Sequence, residues 1–204
     1  MRDKGFTLWF TGLPASGKTT LSGMAAVELR ARGMRVEVLD GDVIRKELCS
    51  DLGFSREDRD RNVRRVGFVC GLLSRNGVAA IAALISPYRA VRREVRAGTE
   101  RFVEVYTKCP VEVCMERDYK GNYRRALAGE IRNFTGVDDP YEEPERAEIV
   151  VDTANLTPRG SFEYVMRRLE ELGYAAPAQW GEGGVYSREE EEKVRRRLEG
   201  LGYI

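Results

Sequence analysis

Short apolar runs alternate with amphipathic segments along most of the chain. Buried strands are predicted where apolar and β-branched residues run together, at residues 6–11, 35–39, 78–85, 102–107 and 148–152. Helices are predicted between them, at residues 21–32, 43–49, 55–73, 90–98, 110–117 and 161–172. This alternation predicts an α/β fold, namely a three-layer sandwich with a five-stranded parallel sheet and helices on both faces.

Two stretches interrupt the alternation. Residues 118–141 mix charges, glycines, aromatics and prolines, and such a segment in a compact domain is typical of a lid or binding loop. Residues 175–184 are rich in Ala, Pro and Gly, which is typical of a linker, and residues 187–198 predict a helix with acids first and bases last. We therefore expect one domain over residues 1–174 and a tail of unknown role over residues 175–204.

A phosphate-binding loop follows the first predicted strand. Its pattern G-x-x-x-x-G-K-[ST] is formed by Gly12, Leu13, Pro14, Ala15, Ser16, Gly17, Lys18, Thr19 and Thr20. Glycines allow backbone N–H groups to approach phosphate oxygens, and the helix that follows directs its positive end at the same anion. Lys18 is expected on the β- and γ-phosphates of ATP and Thr19 on Mg²⁺. A chance match is the alternative, but the strand before the loop and the helix after it favour a nucleotide site.

Two carboxylates, Asp40 and Asp42, follow the second predicted strand. Ligands of open α/β sheets lie beyond the carboxyl ends of the strands, so both side chains are expected near the nucleotide phosphates. Asp40 joins Thr19 as a candidate Mg²⁺ ligand. The alternative for Asp42 is a helix N-cap, because a good helix former follows it; both roles are compatible.

An arginine-rich helix follows Ser55, which with Asp58 resembles a capping box. Five arginines lie within ten positions of it, at 56, 59, 61, 64 and 65. A solvated helix face is the usual explanation for such a density of charge. Because a phosphate loop is predicted nearby, a second anion site is the interpretation we favour.

The amino-acid composition limits which catalytic groups, partners and location are expected. The 204 residues include no histidine, so proton transfer falls to carboxylates or lysine. The net charge of +1 gives no global attraction to nucleic acid or to an anionic membrane. The four cysteines lack zinc-ligand spacing and are expected to be reduced, mostly buried thiols. No apolar run reaches membrane-spanning length and no signal sequence is evident, so a cytoplasmic location is expected.

Several motifs, in order, resemble those of the adenylylsulfate (APS) kinase family. Besides the phosphate loop they are DGDVIR at 40–45, DLGFSREDRDRNVRR at 51–65, ISPYR at 85–89, RDYKGNY at 117–123 and FTGVDDPYEEP, which fits F-T-G-V-D-D-P-Y-E-x-P, at 134–144. The resemblance covers roughly residues 5–174. It implies transfer of the ATP γ-phosphoryl group to the 3′-hydroxyl of APS, with Mg²⁺, giving PAPS and ADP, and it suggests a homodimer.

The resemblance also implies roles for individual residues. Asp42 would accept or orient the proton of the 3′-hydroxyl, and Phe54 and Phe134 would sandwich the adenine of APS. The remaining residues implied on the APS side are Arg45, Arg59, Asn62, Ile85, Ser86 and Lys120. Ser86 also matches the family's phosphoserine position, although direct in-line transfer needs no covalent step.

Two other functions are weighed against this one. The chain could be an ATP-binding regulator that docks a partner through its tail helix, or a kinase of another small metabolite such as a nucleotide or sugar acid. Asp42, Phe54, Arg59 and Lys120 argue against a pure binder, because binding ATP requires no acceptor pocket. Pro14 and Asn122 depart from the usual family residues, which stiffens the loop and alters packing in the lid.

Overall fold

The structure is a computed structural model that describes residues 5–177. Its strands are β1 (Phe6–Thr11), β2 (Val36–Asp40), β3 (Ala79–Ala83), β4 (Phe102–Lys108) and β5 (Ile149–Asp152). Its helices are α1 (Lys18–Ala31), α2 (Gly41–Glu47), α3 (Arg56–Arg75), α4 (Arg89–Ala97), α5 (Val111–Glu116), α6 (Asn122–Leu127) and α7 (Pro158–Glu171). The predicted α/β class and the five strands are confirmed.

The sheet is parallel throughout and has the order β2-β3-β1-β4-β5. β1 lies at its centre and is buried at every position, which is why its sequence is almost continuously apolar. Since all strands run the same way, their carboxyl ends meet at one edge. The phosphate loop after β1, the carboxylates at the end of β2 and Ser86 after β3 therefore share that edge.

Side chains of β1 alternate between two cores. Phe6, Leu8 and Phe10 pack in a cluster with residues of α1 and α7, whereas Trp9 packs in a second cluster with α3 and α4. Helices therefore cover both faces of the sheet, and the expected three layers are confirmed. No helix within residues 5–177 has the length and apolar character needed to cross a bilayer.

A third, smaller cluster lies under the predicted lid. Tyr123 of α6 and Phe134 meet edge to face, with ring centroids 5.0 Å apart, and Cys109 and Cys114 are buried beside them. Residues 118–141 thus contain one short helix and a packed segment. All four cysteines are free and buried, as predicted.

The structure corrects one local prediction. The N-cap of α2 is Asp40, whose side chain accepts a hydrogen bond from the Asp42 backbone N–H at 2.9 Å. Asp42 is therefore a first-turn residue of α2, and the N-cap alternative proposed for it is wrong. The helix starts earlier than expected because the glycine between the two acids adopts helical geometry. As a result the Asp42 carboxylate is not used in capping.

Packing of the domain continues past the expected boundary at residue 174. Ala175 is buried in the same core as Phe6, and the Ala176 carbonyl accepts a hydrogen bond from Arg32 at 2.6 Å. The division at 174 stays a prediction, but these contacts place residues 175 and 176 with the domain. The rest of the expected linker from 178 onward and the expected tail helix at 187–198 lie outside the described residues.

Candidate active site

Contacts with Thr107 of β4 hold the phosphate loop in place. Gly12 has φ 153°, and a Cβ there would lie 2.3 Å from Thr107 Oγ1, so no larger residue fits. Ser16 Oγ is 2.7 Å from the same Thr107 hydroxyl. Gly17, with φ 92°, then turns the chain into α1. The loop is therefore a preformed cradle on the carboxyl end of β1.

The Lys18 ammonium lies inside this cradle. Its Nζ donates hydrogen bonds to the carbonyls of Gly12 at 3.0 Å and Leu13 at 2.6 Å, and the residue is 9% exposed. Burial lowers the pKa of Lys18 to about 8, against the opposing effect of nearby thiols and of the carboxylates of Asp40 and Asp42. A phosphate anion in the loop would offset the cost of that buried charge.

Thr19 and Asp40 meet at the mouth of the loop. The Thr19 hydroxyl donates to Asp40 Oδ2 at 3.1 Å, so a hydroxyl and a carboxylate oxygen point to the same place. Mg²⁺ in nucleotide sites takes such hard oxygen ligands together with phosphate oxygens and waters. The two residues fit that ion. The described residues hold no cluster of three acidic, cysteine or histidine ligands that would form an all-protein metal cage.

Asp42 faces Lys120 of the lid. Lys120 Nζ donates to Asp42 Oδ2 at 2.5 Å, and the Asp42 side chain is 64% exposed. Because Asp42 follows Asp40 by two residues, its carboxylate lies close to the phosphate loop, and both acids act on the charge of Lys18. A carboxylate and a cation from 78 positions apart are thereby brought together in front of the cradle.

Ser86 is buried beneath the site. Its Oγ accepts a hydrogen bond from Trp9 Nε1 at 3.1 Å and donates to Thr11 Oγ1 at 2.9 Å, and the residue is 3% exposed. Its backbone is left-handed, with φ 40°. Ile85 precedes it and accepts a hydrogen bond from Thr11 through its carbonyl at 2.8 Å.

Arg59 contacts the backbone at or beside both phenylalanines that were expected around an adenine. Arg59 Nε donates to the Phe54 carbonyl at 3.1 Å, and its Nη2 donates to the Asn133 carbonyl, next to Phe134, at 2.5 Å. Phe54 is 55% exposed, whereas Phe134 is 9% exposed. Burial lowers the pKa of Arg59, which nevertheless stays a cation. Arg59 therefore joins the start of α3 to the lid.

Arg45 and Asn62 complete the predicted set. The Arg45 guanidinium lies over the Phe54 ring, 4.5 Å from its centroid, where a flat ligand could take its place. Asn62 is 5% exposed, and its Oδ1 has no hydrogen-bond partner among the described residues. A buried amide oxygen with no partner calls for one, and a bound ligand is a candidate for that partner.

Two residues of this edge, Tyr141 and Arg92, were not among the predicted site residues. Tyr141 places its hydroxyl 2.9 Å from Thr11 Oγ1, and Arg92 of α4 donates to the Ser86 carbonyl at 2.6 Å. One signal was available for Arg92. It lies next to Val91 and three positions before Val95, on the helix face that the apolar spacing buries. A charged residue on a buried face requires partners.

Comparisons with known proteins bear on this site. A sequence model of the family described as adenylylsulphate kinase matches residues 4–152. The adenylyl-sulfate kinase of Synechococcus sp. (strain JA-3-3Ab) is 53% identical over 174 residues, which are 85% of this chain and 99% of that protein. A probable bifunctional SAT/APS kinase of Sorangium cellulosum is 56% identical over 170 residues, 83% of this chain but only 29% of that protein.

A solved structure gives the same relationship in three dimensions. The APS kinase of Mycobacterium tuberculosis, in complex with AMPPNP and APS, superposes with a TM-score of 0.77 at 38% sequence identity. The match covers 82% of this chain and 98% of that one. The similarity therefore extends over the described domain and includes the segments that form its site.

Proposed function

The chain belongs to the adenylylsulphate kinase family, and from that premise we propose how this site works. The reaction is transfer of the γ-phosphoryl group of ATP to the 3′-hydroxyl of adenosine 5′-phosphosulfate, with PAPS and ADP as products. This is the function that the motifs predicted. The roles of individual residues below are proposals drawn from their contacts.

One observation carries the proposal. The Asp42 carboxylate lies in front of the phosphate loop, where Lys120 of the lid contacts it, while Asp40 performs the capping of α2. A carboxylate held there can accept the proton of an attacking hydroxyl. In a chain with no histidine, it is the acid–base group best placed for that task.

The ATP side supplies positioning and charge. Backbone N–H groups of the loop between Gly12 and Thr20, all but that of Pro14, which has none, would surround the β- and γ-phosphates. Lys18 would exchange its two carbonyl partners for phosphate oxygens. Thr19 and Asp40 would hold Mg²⁺, the latter through its carboxylate. When bound, the ion neutralises charge on the phosphates.

The acceptor side holds APS and its reacting oxygen. The adenine would stack on Phe54, displacing the Arg45 guanidinium, with Phe134 at the far side of the pocket. Arg45, Arg59 and Lys120 would then bind the phosphosulfate and the ribose. Asn62 Oδ1 would gain the hydrogen bond that it lacks. Lys120 has to give up part of its contact with Asp42 before that carboxylate can accept a proton.

Ser86 is proposed as a binding residue and not as a phosphate carrier. Its hydroxyl proton is committed to Thr11, its oxygen accepts from Trp9, and the group is buried. An attacking hydroxyl must instead be exposed to the γ-phosphoryl group and aligned in line with it. Direct transfer between ATP and APS requires no such intermediate.

A homodimer and a cytoplasmic location are further proposals. Both rest on the family resemblance and on the composition of the chain. The balanced net charge of +1 supports a small-molecule partner and no nucleic acid. Sedimentation velocity of the full chain at several concentrations measures the oligomeric state directly.

A substrate panel tests the proposed function. Thermal unfolding is followed with Mg·ADP and one of three acceptors, namely APS, AMP or gluconate, and ADP formation from ATP is measured with each. We expect APS alone to add a further rise in Tm and to support turnover. Turnover with gluconate or AMP but not with APS would contradict the proposal and assign the site to another metabolite kinase. Nucleotide binding without turnover would indicate a regulator.

A further inference from the structure

The turn after β3 has an unusual backbone. Ser86 adopts φ 40°, a left-handed conformation that costs a non-glycine residue free energy. Such a conformation persists only where surrounding contacts hold it. The turn also leads directly into Pro87 and Tyr88, at the carboxyl edge where the acceptor is proposed to bind. What holds Ser86 therefore also places one wall of the acceptor pocket.

Two sets of side-chain contacts hold Ser86, one at its hydroxyl and one at its carbonyl, and the Glu142 backbone N–H also donates to the Pro87 carbonyl at 2.8 Å. The Ser86 side chain is fixed by Trp9 and Thr11. Its carbonyl accepts a hydrogen bond from Arg92 Nη1 at 2.6 Å. The same guanidinium donates through Nη2 to the Glu142 carbonyl at 2.6 Å. One planar group therefore joins the β3 turn to the segment that follows the lid, two parts of the chain that are far apart in sequence.

Arg92 is itself held rigidly. Its Nε donates to Glu104 Oε1 of β4 at 2.8 Å, and the side chains of the pair are 3% and 8% exposed. Glu104 also contacts Arg96 at 3.3 Å, and Arg96 pairs with Glu148, the residue just before β5. Tyr141 lies over the guanidinium, with 5.6 Å between Arg92 Cζ and the ring centroid. A buried arginine with every edge occupied has one geometry available.

We propose that Arg92 is a positioning residue for the acceptor: it holds Ser86 in its left-handed turn and ties that turn to Glu142, so that APS binds in register with the phosphate loop. Arg92 touches neither substrate. Its effect passes through the backbone of residues 86 and 142. The inference rests on the proposed function for its kinetic readout, while a second readout, described below, does not depend on activity.

The kinetic test separates the carbonyl bonds from the charge pair. Arg92→Lys keeps a cation opposite Glu104 but cannot reach both carbonyls, and Arg92→Met/Glu104→Gln removes the pair without leaving a charge unpaired. We expect both to raise KM for APS about tenfold or more, with KM for ATP changed by less than about threefold. Glu104→Gln alone keeps both carbonyl bonds and should raise KM for APS by less than about threefold. Arg93→Met, on the exposed side of α4, is the matched control.

The second readout uses Trp9, whose indole donates to Ser86 Oγ. The chain contains two tryptophans, so a Trp180→Phe background leaves Trp9 as the only one. The emission maximum of Trp9 should shift in Arg92→Lys and in the double variant, and should stay in place in Glu104→Gln and Arg93→Met. This result is expected whether or not APS is the substrate.

Three results would overturn the inference. The first is an unchanged KM for APS and an unchanged Trp9 emission in folded Arg92→Lys. The second is an equal rise in KM for ATP and for APS, which would mean a general loosening of the fold. The third is failure of both Arg92 variants to fold, which would assign Arg92 to stability alone. A wild-type protein that does not phosphorylate APS would contradict the proposed function instead, and the Trp9 measurement would still decide on Arg92.

Discussion

The two halves of the site differ in how they are built. On the ATP side, Lys18 and Asp40 are 9% and 7% exposed and are already bound to the loop and to α2. On the acceptor side, the Asp42 side chain is 64% exposed and Phe54 is 55% exposed. Apart from Asp40, the ATP side comes from one continuous motif, whereas the acceptor side joins α2, α3, the β3 turn and the lid. A preformed half therefore meets a half that the acceptor has to complete.

The largest effect is expected on the preformed half. Lys18→Ala should reduce turnover by about three orders of magnitude or more, because no other cation replaces its charge on the transferred phosphoryl group. The fold should persist, since the substitution removes a buried charge whose ammonium faces the loop carbonyls and not the apolar core. Turnover and far-ultraviolet circular dichroism measure the two effects. Near-normal turnover in a folded variant would remove Lys18 from the mechanism.

On the open half, Asp42→Asn should lower kcat by about two to four orders of magnitude, the usual reach of general acid–base catalysis. The rise in Tm on adding Mg·ADP should stay near that of the wild type, because the amide leaves the loop intact. Glu47→Gln, an exposed carboxylate on the same helix, is the control and should turn over normally. Equal activity of the two variants would show that Asp42 has no part in proton transfer.

Two truncations compare the residues around 174–176, which pack on the domain, with the tail that follows them. Removal of residues 178–204 should leave the Tm and the activity almost unchanged, given the linker-like composition at that point. Removal of residues 174–204 also deletes Tyr174, whose ring is tilted against that of Phe6 with 5.1 Å between the centroids, and buried Ala175. That loss should cost about 2–3 kcal/mol of the free energy of unfolding. Chemical denaturation measures both, and equal stability of the two truncated chains would contradict the packing described.

Ser86→Ala tests the buried residue that lies beneath the site. We expect turnover to persist and KM for APS to rise by about three- to tenfold, since one buried hydrogen bond to Thr11 and one from Trp9 are lost. ADP formation over a range of APS concentrations measures the change. Complete loss of turnover in a folded variant would favour a phosphoserine intermediate.

The smallest expected effect is the uptake of a fraction of a proton when nucleotide binds. Because burial lowers the pKa of Lys18 to about 8, roughly half of the free protein lacks that proton at pH 8. Phosphate oxygens raise the pKa again, so ADP binding should take up about half a proton at pH 8 and almost none at pH 6.5. Calorimetry in buffers of different ionisation enthalpy measures this uptake. Uptake that persists in Lys18→Met would assign it to another group.

The lowered pKa of Lys18 also makes the free energy of unfolding depend on pH. The unfolded chain binds this proton more tightly than the folded one, so the contribution of Lys18 to the free energy of unfolding rises as the pH increases from about 8 towards 10.5. Below pH 8 the buried charge costs stability. A phosphate anion bound in the preformed loop would offset that cost, because it pairs with the buried charge.

The ATP side of the site could be predicted from the sequence because the residues that form it lie close together in the chain. Strand, glycine loop and helix lie within 26 residues, and β1 was predicted with its observed limits. The acceptor side was harder, because its contacts join residues such as Asp42 and Lys120 that are 78 positions apart. Its residues were predicted from the family motifs, while their contacts were not. Asp40 was not predicted as the cap of α2, since two acids separated by one glycine offer the same chemistry.

Arg92 and Ala175 were missed for physical reasons. An arginine in a helix with Arg89, Arg93 and Arg96 resembles a solvated face, and only the packing of β4 and of residue 142 buries it. Ala175 begins an Ala- and Pro-containing stretch that is typical of a linker, but its methyl group fits the core beside Tyr174. In both cases tertiary contacts override the local pattern.

Direct transfer between two bound nucleotides is the central claim, and the stereochemistry of the phosphoryl group tests it most directly. ATP made chiral at its γ-phosphorus with oxygen isotopes is incubated with the full chain and APS. A single in-line transfer predicts that the label appears on the 3′-oxygen of APS with inverted configuration at phosphorus. Retention of configuration would mean two successive transfers through the protein, and label on any other acceptor position would mean a different reaction.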